Sequence, residues 1–222
     1  MPIGDQTMLA HVVRRTRRAE SLGGVIVATT LLPDDDAVAR EAERLGAGVF
    51  RGSEDDVLDR FHRAAAAFEL DAVVRVTADC PLIDPSVIDE VVAAFVDHRA
   101  DYASNSLERT YPRGLDAEVI SAEALAVAWR EADQPRQRVH VTPFVYENPQ
   151  RFRIVSVHAD ADRSHLRWTV DTAADLEAVR ALVEHLGGGD GHDWRTAAEA
   201  LERRPELVEI NREVRQKELD EL

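Results

Sequence analysis

Lysine is nearly missing from this chain. Of its 27 basic residues only Lys217 is a lysine, and it lies in a polar C-terminal stretch. Chemistry that needs a buried lysine therefore has no obvious candidate. Cysteine is equally scarce. Cys80 stands alone, which excludes an intrachain disulfide and a cysteine-rich zinc site. Positive charge is short overall. A formal charge of −15 argues against nucleic acid as a partner, while leaving room for a local basic pocket. No apolar run reaches the length of a membrane span and the N-terminus lacks a signal pattern, so no membrane partner is expected and a cytoplasmic location is. What is present suits a soluble α/β chain. Hydrophobic residues make up 45%, enough for a substantial core, and 222 residues predict one large domain or one domain with a small appendage.

The hydrophobic pattern alternates between two periods. A helix is predicted over Met8 to Glu20, with Met8, Leu9, Val12 and Val13 as its apolar stripe, and Gly23-Gly24 ends it. Val25 to Ala28 reads as a strand with Thr29 at its exit. A helix over Asp34 to Leu45 and the short strand Val49-Phe50 follow, and Ser53 is expected to cap the next helix. This alternation predicts a parallel sheet covered on both faces. Such a sheet normally opens on a strand, whereas this chain opens on a crossover helix, so one strand is expected to be missing. From Asp101 the rhythm changes. A probable strand at Asp101 to Ala103 precedes a polar stretch, Ser104 to Gly114, long enough to suggest function. Leu115 to Ile120 carries Asp116 and Glu118 at alternate positions, and one reading makes them the solvent-facing side of an edge strand. Helices are predicted over Ser121 to Ala132, Val139 to Tyr146 and, after Pro205, Leu207 to about Leu219.

Two stretches stand out. Val73 to Val76 is β-branched and suits a buried strand, and Asp79 and Pro81 follow it at once. Asp79 then sits at the carboxyl end of a central strand, where open α/β sheets bind ligands. Asp84-Pro85 opens the following helix. Leu166 to Asp171 repeats the pattern: a predicted strand ending in an aspartate, then Thr172 and Asp175 in a capping-box arrangement. A lone Asp at such a place is more often a turn or cap residue. Two of them suggest a site for Mg²⁺, which needs only one or two carboxylates beside substrate phosphates. The pattern alone leaves a nucleotidyltransferase, a glycosyltransferase and a sheet with two acidic turns all open.

The segments VATT (Val27–Thr30), FRGSEDDVLDRF (Phe50–Phe61), RVTADCPLIDP (Arg75–Pro85), DYASNS (Asp101–Ser106), TYPRGLDAEV (Thr110–Val119), HVTPF (His140–Phe144) and HLRWTVDTAADL (His165–Leu176) narrow this choice. In order and spacing they resemble the spore-coat polysaccharide SpsF family, cytidylyltransferase-like proteins related to CMP-sialate and CMP-KDO synthetases. The resemblance implies a Rossmann-like nucleotidyltransferase (GT-A-like) three-layer sandwich over residues 1–190. A small sub-domain, about 104–160, would project from it and often pairs subunits into a homodimer, and a helical tail occupies 191–222. It implies transfer of CMP from CTP to a sugar acid or related sugar, with Mg²⁺ held by Asp79 and Asp171. Thr29, Ser53 and Thr77 would join Asp79 around the nucleotide. Arg113, Gly114, Asp116, Glu118 and His140 would face the acceptor sugar.

One departure accompanies the resemblance. The family opens with a strand and a glycine-rich loop bearing Arg and Lys, which cradles the triphosphate. Met1-Pro2-Ile3-Gly4 corresponds to what comes just after that loop. A chain without the loop is expected to be impaired in catalysis. A non-catalytic binding or scaffold relative and a metal-dependent glycosyltransferase therefore remain as rivals. His140 and His165 also read as satisfied polar residues, Trp168 as core, and Cys80 as a small buried residue.

Overall fold

The computed structural model describes residues 1–216. Its elements are β1 (Pro2–Ile3), β2 (Gln6–Thr7), α1 (Met8–Arg17), β3 (Ile26–Thr30), a 3₁₀ turn (Pro33–Asp35), α2 (Asp36–Arg44), β4 (Gly48–Gly52), α3 (Val57–Ala67), β5 (Ala72–Arg75), α4 (Pro85–Asp97), β6 (Tyr102–Ser104), β7 (Glu118–Ser121), α5 (Ala122–Glu131), α6 (Pro135–His140), α7 (Pro143–Tyr146), β8 (Ile154–Ser156), α8 (Ala173–His185), α9 (Trp194–Arg203) and α10 (Glu206–Glu209). No described helix is long and apolar enough to cross a membrane.

The α/β class is as expected, but the sheet is not uniformly parallel. The main sheet runs β5-β7-β6-β8, with β7 antiparallel to both neighbours and β6 parallel to β8. The reason lies in the connection. The chain returns from β6 to β7 through an irregular loop without a crossover helix, so it returns in the opposite direction. β7 is consequently interior, and the edge-strand reading of Asp116 and Glu118 fails: Glu118 is buried and Asp116 precedes the strand. Strands β3 and β4 form a separate parallel ladder. Among the described residues no ladder joins it to β5, so β3 and β5 each present an edge there, and Ile26, Val27 and Val74 stay half-buried.

Local signals explain the helix ends. Thr7 caps α1 by accepting from the Ala10 backbone N–H. Asp56, not Ser53, caps α3, accepting from Asp59 N at 2.9 Å. Ser53 sits one turn earlier, where its hydroxyl accepts from Asp56 N. Thr172 and Asp175 form the expected capping box on α8. The predicted helix over Val139 to Tyr146 is instead two short helices, broken at Val141. Past Pro205 only α10 is helical among the described residues; Lys217 and the end of the predicted C-terminal helix lie outside them.

Packing divides between the two sheet faces. Val73, Tyr102 and Ile120 point toward α3, α5 and α7, where they meet Leu58, Leu125 and Val145. Val119 and Ala103 face α1 and α4, meeting Val12, Ile88 and Val91. A third cluster sits beyond the sheet. Trp168, Leu182 and Trp194 bring α8 and α9 onto the 166–170 segment, so the C-terminal helices cover this end of the molecule.

One buried ion pair ties these layers together. Arg15, 3% exposed, donates to the carbonyls of Ile83, Asp190 and His192 at 2.6–2.8 Å. Its Nη2 lies 3.6 Å from Asp84. Asp84 caps α4 through Ser86 N and also accepts from Trp194 N, the first residue of α9, at 2.8 Å. Removing one member of a buried pair leaves the other charge stranded. Asp84→Ala should therefore lower unfolding free energy by about 3 kcal/mol in urea titrations. A loss below about 1 kcal/mol, the range of an exposed pair, would contradict this double-cap role.

Candidate active site

The site begins where β5 stops. Past Arg75 the chain turns, with Cys80 N bonding Thr77 O at 3.2 Å and Ile83 N bonding Cys80 O at 3.1 Å. The Asp79 carboxylate accepts from the Thr169 hydroxyl at 3.2 Å and lies 3.4 Å from the Cys80 thiol. Burial and the Asp79 charge push the Cys80 thiol well above its ordinary range, so it stays a protonated, inert group. The Asp79 carbonyl accepts from Val170 N at 2.8 Å. Asp171 is the next residue, so the two acids lie on backbone segments that are directly bonded. Asp171 is 45% exposed at its side chain and accepts from Arg167 at 2.6 Å.

The predicted strand over Leu166 to Asp171 is not formed. A single parallel bridge, Arg113 to Arg167, stands there instead. The partner is a loop, so no ladder propagates. Arg113 N donates to Leu166 O at 2.9 Å, and Trp168 N donates to Arg113 O at 2.6 Å. Gly114 permits this clasp in two ways. Its φ is +106°, and a Cβ there would lie 2.6 Å from Thr169 N and from the Trp168 carbonyl carbon. The base of the loop is fixed by Asn105, which bonds Leu115 O at 2.8 Å and Ala117 N at 2.9 Å. Asp116 forms a two-pronged pair with Arg109. Arg113 has no hydrogen bond or ion pair from its guanidinium among the described residues. Its pKa is lowered by burial and then by the neighbouring Arg109, an environment that favours an incoming anion.

A buried polar layer lies on the α3/α5 face. Arg75 and Glu118 are direct cross-strand partners and form an ion pair. The other Glu118 oxygen accepts from Tyr102 and, at 2.7 Å, from Thr142. Desolvation and then Glu118 push the Tyr102 phenol well above its usual range, keeping it a donor. Thr142 follows a strained turn. Val141 has φ 75° and ψ −55°, and Thr142 N bonds the His140 carbonyl at 2.9 Å. This is a γ-turn of the rare positive-φ kind, costly for a β-branched residue by about 1–3 kcal/mol. The His140 Nε2 is buried with no partner.

The nucleotide candidates stand at the carboxyl ends of β3 to β5. Thr29 is buried and gives its hydroxyl to Asp35 at 2.7 Å. Hydrogen bonds from Thr30 and then Thr29 hold the Asp35 carboxyl below its ordinary value. Ser53 keeps its carbonyl on Arg60 at 2.6 Å, and Thr77 contacts Cys80. Burial lowers the Arg60 pKa, with the charges of Asp35 and Arg75 acting on it in opposite directions. The structure thus brings Asp79 to Asp171, and Gly114 to the same segment. Glu118 and His140 meet through Thr142. Arg60, Arg75, Arg167 and Thr142 were not among the residues read from sequence. A signal existed for Arg75, since a cation inside a β-branched strand demands a buried partner. Thr142 had none.

Among the described residues no cluster of three or more His, Cys, Asp or Glu is arranged to hold a metal ion. Asp79 and Asp171, on directly bonded backbone segments, supply two carboxylates, which is enough for a Mg²⁺ that keeps water and phosphate oxygens as its other ligands.

An α/β fold with one acid past the end of β5 and another on the segment bonded to it, just before α8, is that of a nucleotidyltransferase-like protein. The sequence profile of the cytidylyltransferases matches residues 1–201, and the chain belongs to that family. It is 35% identical over 224 residues to "Uncharacterized protein MJ1063" of Methanocaldococcus jannaschii, covering all of this chain and 90% of that one. It is 30% identical over 197 residues to the spore coat polysaccharide biosynthesis protein SpsF of Bacillus subtilis, covering 84% of this chain and 79% of that one. Its fold superposes on a cytidylyltransferase from Leptospira borgpetersenii with a TM-score of 0.91 at 29% identity, covering 98% of this chain and 91% of the other. A CMP:2-keto-3-deoxy-manno-octonic acid synthetase complexed with CTP shares the fold at a TM-score of 0.63 and 18% identity, with 84% and 91% covered.

Asp175 anchors the segment bearing Asp171. Burial alone would raise its pKa, but hydrogen bonds from Arg167, Asn211 and Thr172 outweigh burial and hold it at about 2, against an ordinary 3.8. A depressed carboxylate stabilises the fold above its unfolded pKa, and that stability is lost as pH falls through the folded value. The urea midpoint should therefore drop between about pH 4 and pH 2 more steeply in the parent chain than in Asp175→Asn. Equal slopes would refute the assignment.

Proposed function

We propose that the chain is a Mg²⁺-dependent cytidylyltransferase that transfers CMP from CTP to a sugar or sugar acid, releasing pyrophosphate. The observation that supports this reading is the Val170 N to Asp79 O bond, which ties together the backbone segments that carry Asp79 and Asp171. Bound there, Mg²⁺ would neutralise negative charge on the phosphates. The protein's part is positioning. Thr77 and Asp79 border the nucleotide at the end of β5, while Thr29 and Ser53 shape its base pocket from β3 and β4. Arg113, whose guanidinium has no partner among the described residues, and Asp116 border the acceptor beside Gly114. His140 faces it from the other side. The acceptor belongs to surface-polysaccharide synthesis, as the name of the B. subtilis relative suggests. The protein acts in the cytoplasm as a homodimer.

The test is pyrophosphate release from CTP and Mg²⁺ across a panel of sugars and sugar acids. Asp79→Asn and Asp171→Asn should each lose activity on the order of 100-fold or more, the scale of removing one charge partner from a transition state. Melting temperatures should hold, because Arg167 keeps its pair with Asp175. Full activity in either variant would remove the metal assignment. CTP binding without pyrophosphate release from any sugar would favour a non-catalytic relative. Release of a nucleoside diphosphate from a nucleotide sugar would favour a glycosyltransferase.

A further inference from the structure

The turn at His140-Val141-Thr142 is strained and has two anchors. Val141 is fully buried among apolar side chains, and the Thr142 hydroxyl is fixed on Glu118 at 2.7 Å. Glu118 is held in turn by Tyr102 and Arg75. Both its oxygens are engaged inside the protein, so Glu118 serves the acceptor pocket indirectly. What the anchored turn fixes is the residue before it. His140 ends α6, and its carbonyl is tied to Thr142 N. Of its two ring nitrogens, Nε2 is sealed from water with no partner. The residue is half-buried, and Nδ1, unlike Nε2, is neither sealed nor bonded among the described residues, so it is the nitrogen a ligand can reach.

A buried N–H with no acceptor is the rarer orphan, whereas a bare acceptor lone pair is tolerated more often. The sealed Nε2 therefore carries the lone pair, and the proton resides on Nδ1. We propose that His140 stands in the Nδ1–H tautomer and donates from Nδ1 to an oxygen of the acceptor sugar, with Thr142, anchored on Glu118, as the positioning residue that fixes the ring. This rests on the reading of His140 as part of the acceptor pocket. It makes Thr142 a determinant of acceptor binding that acts without touching the sugar.

The experiment is ¹⁵N NMR of the imidazoles in the full chain, at a pH well above the ordinary histidine range, with His140 assigned by loss of its signal in His140→Gln. The expected spectrum shows His140 protonated at Nδ1. Thr142→Val should shift it to a mixture of tautomers, and Thr142→Ser, which keeps the hydroxyl, should restore the parent signal. With any sugar that turns over, Thr142→Val should raise the acceptor KM by about tenfold, or 1.4 kcal/mol, leaving the CTP KM unchanged. An Nε2–H tautomer in the parent chain, or an unaltered His140 signal in Thr142→Val, overturns the proposal. If no sugar turns over, the cytidylyltransferase reading fails, while the NMR comparison still decides the tautomer and its anchor.

Discussion

A stretch of buried backbone must find hydrogen-bond partners, and residues 166–170 find theirs in loops. Arg113 takes Leu166 and Trp168 on one side, and the Asp79 carbonyl takes Val170 on the other. This double clasp replaces a strand ladder, and the rest of the site follows from it. It ties the segment bearing Asp171 to the one bearing Asp79. It demands a glycine at position 114, where any Cβ would collide with the Trp168–Thr169 peptide. It sets the buried Trp168 as the floor on which α8 and α9 pack. The fold and the site are thus joined through main-chain contacts that side-chain chemistry only decorates.

Charge is organised around arginine. With lysine confined to position 217, each cation near the site is a planar guanidinium, suited to two-pronged pairs with carboxylates. Arg109 holds Asp116, Arg167 holds Asp171 and Asp175, and Arg75 holds Glu118. These pairs fix acids in place while neutralising them. Arg113 remains without such a partner among the described residues, close to two other arginines, and its setting suits a negatively charged ligand. The net charge of −15 is therefore compatible with an anionic ligand, because Asp116, Asp171, Asp175 and Glu118 are each paired with an arginine.

Much of this was legible in the sequence where the cause was local. The Thr172–Asp175 capping box, the Asp84-Pro85 helix start and the α1 stripe rest on neighbouring residues, and each formed as read. The order of motifs identified the family, and the profile match bears that out. Where the cause was distant, the reading failed. Leu166 to Asp171 has strand composition, yet a loop is what lies beside it. Leu115 to Ile120 has the acidic alternation of an edge, yet β5 and β6 close over both sides of β7, and Glu118 is satisfied by Arg75, Tyr102 and Thr142. Ser53 has capping chemistry, but Asp56 stands one residue before the helix and takes the position. Nothing local announces the γ-turn at Val141, because a β-branched residue there is held by tertiary contacts alone.

The central claim is that Asp79 and Asp171 form one metal and nucleotide site. Crystals grown with CTP and Mn²⁺, an anomalous scatterer in place of Mg²⁺, test it most directly. The account predicts an anomalous peak beside the carboxylates of both Asp79 and Asp171, next to the phosphates of CTP. Mn²⁺ and CTP bound away from both aspartates would contradict it.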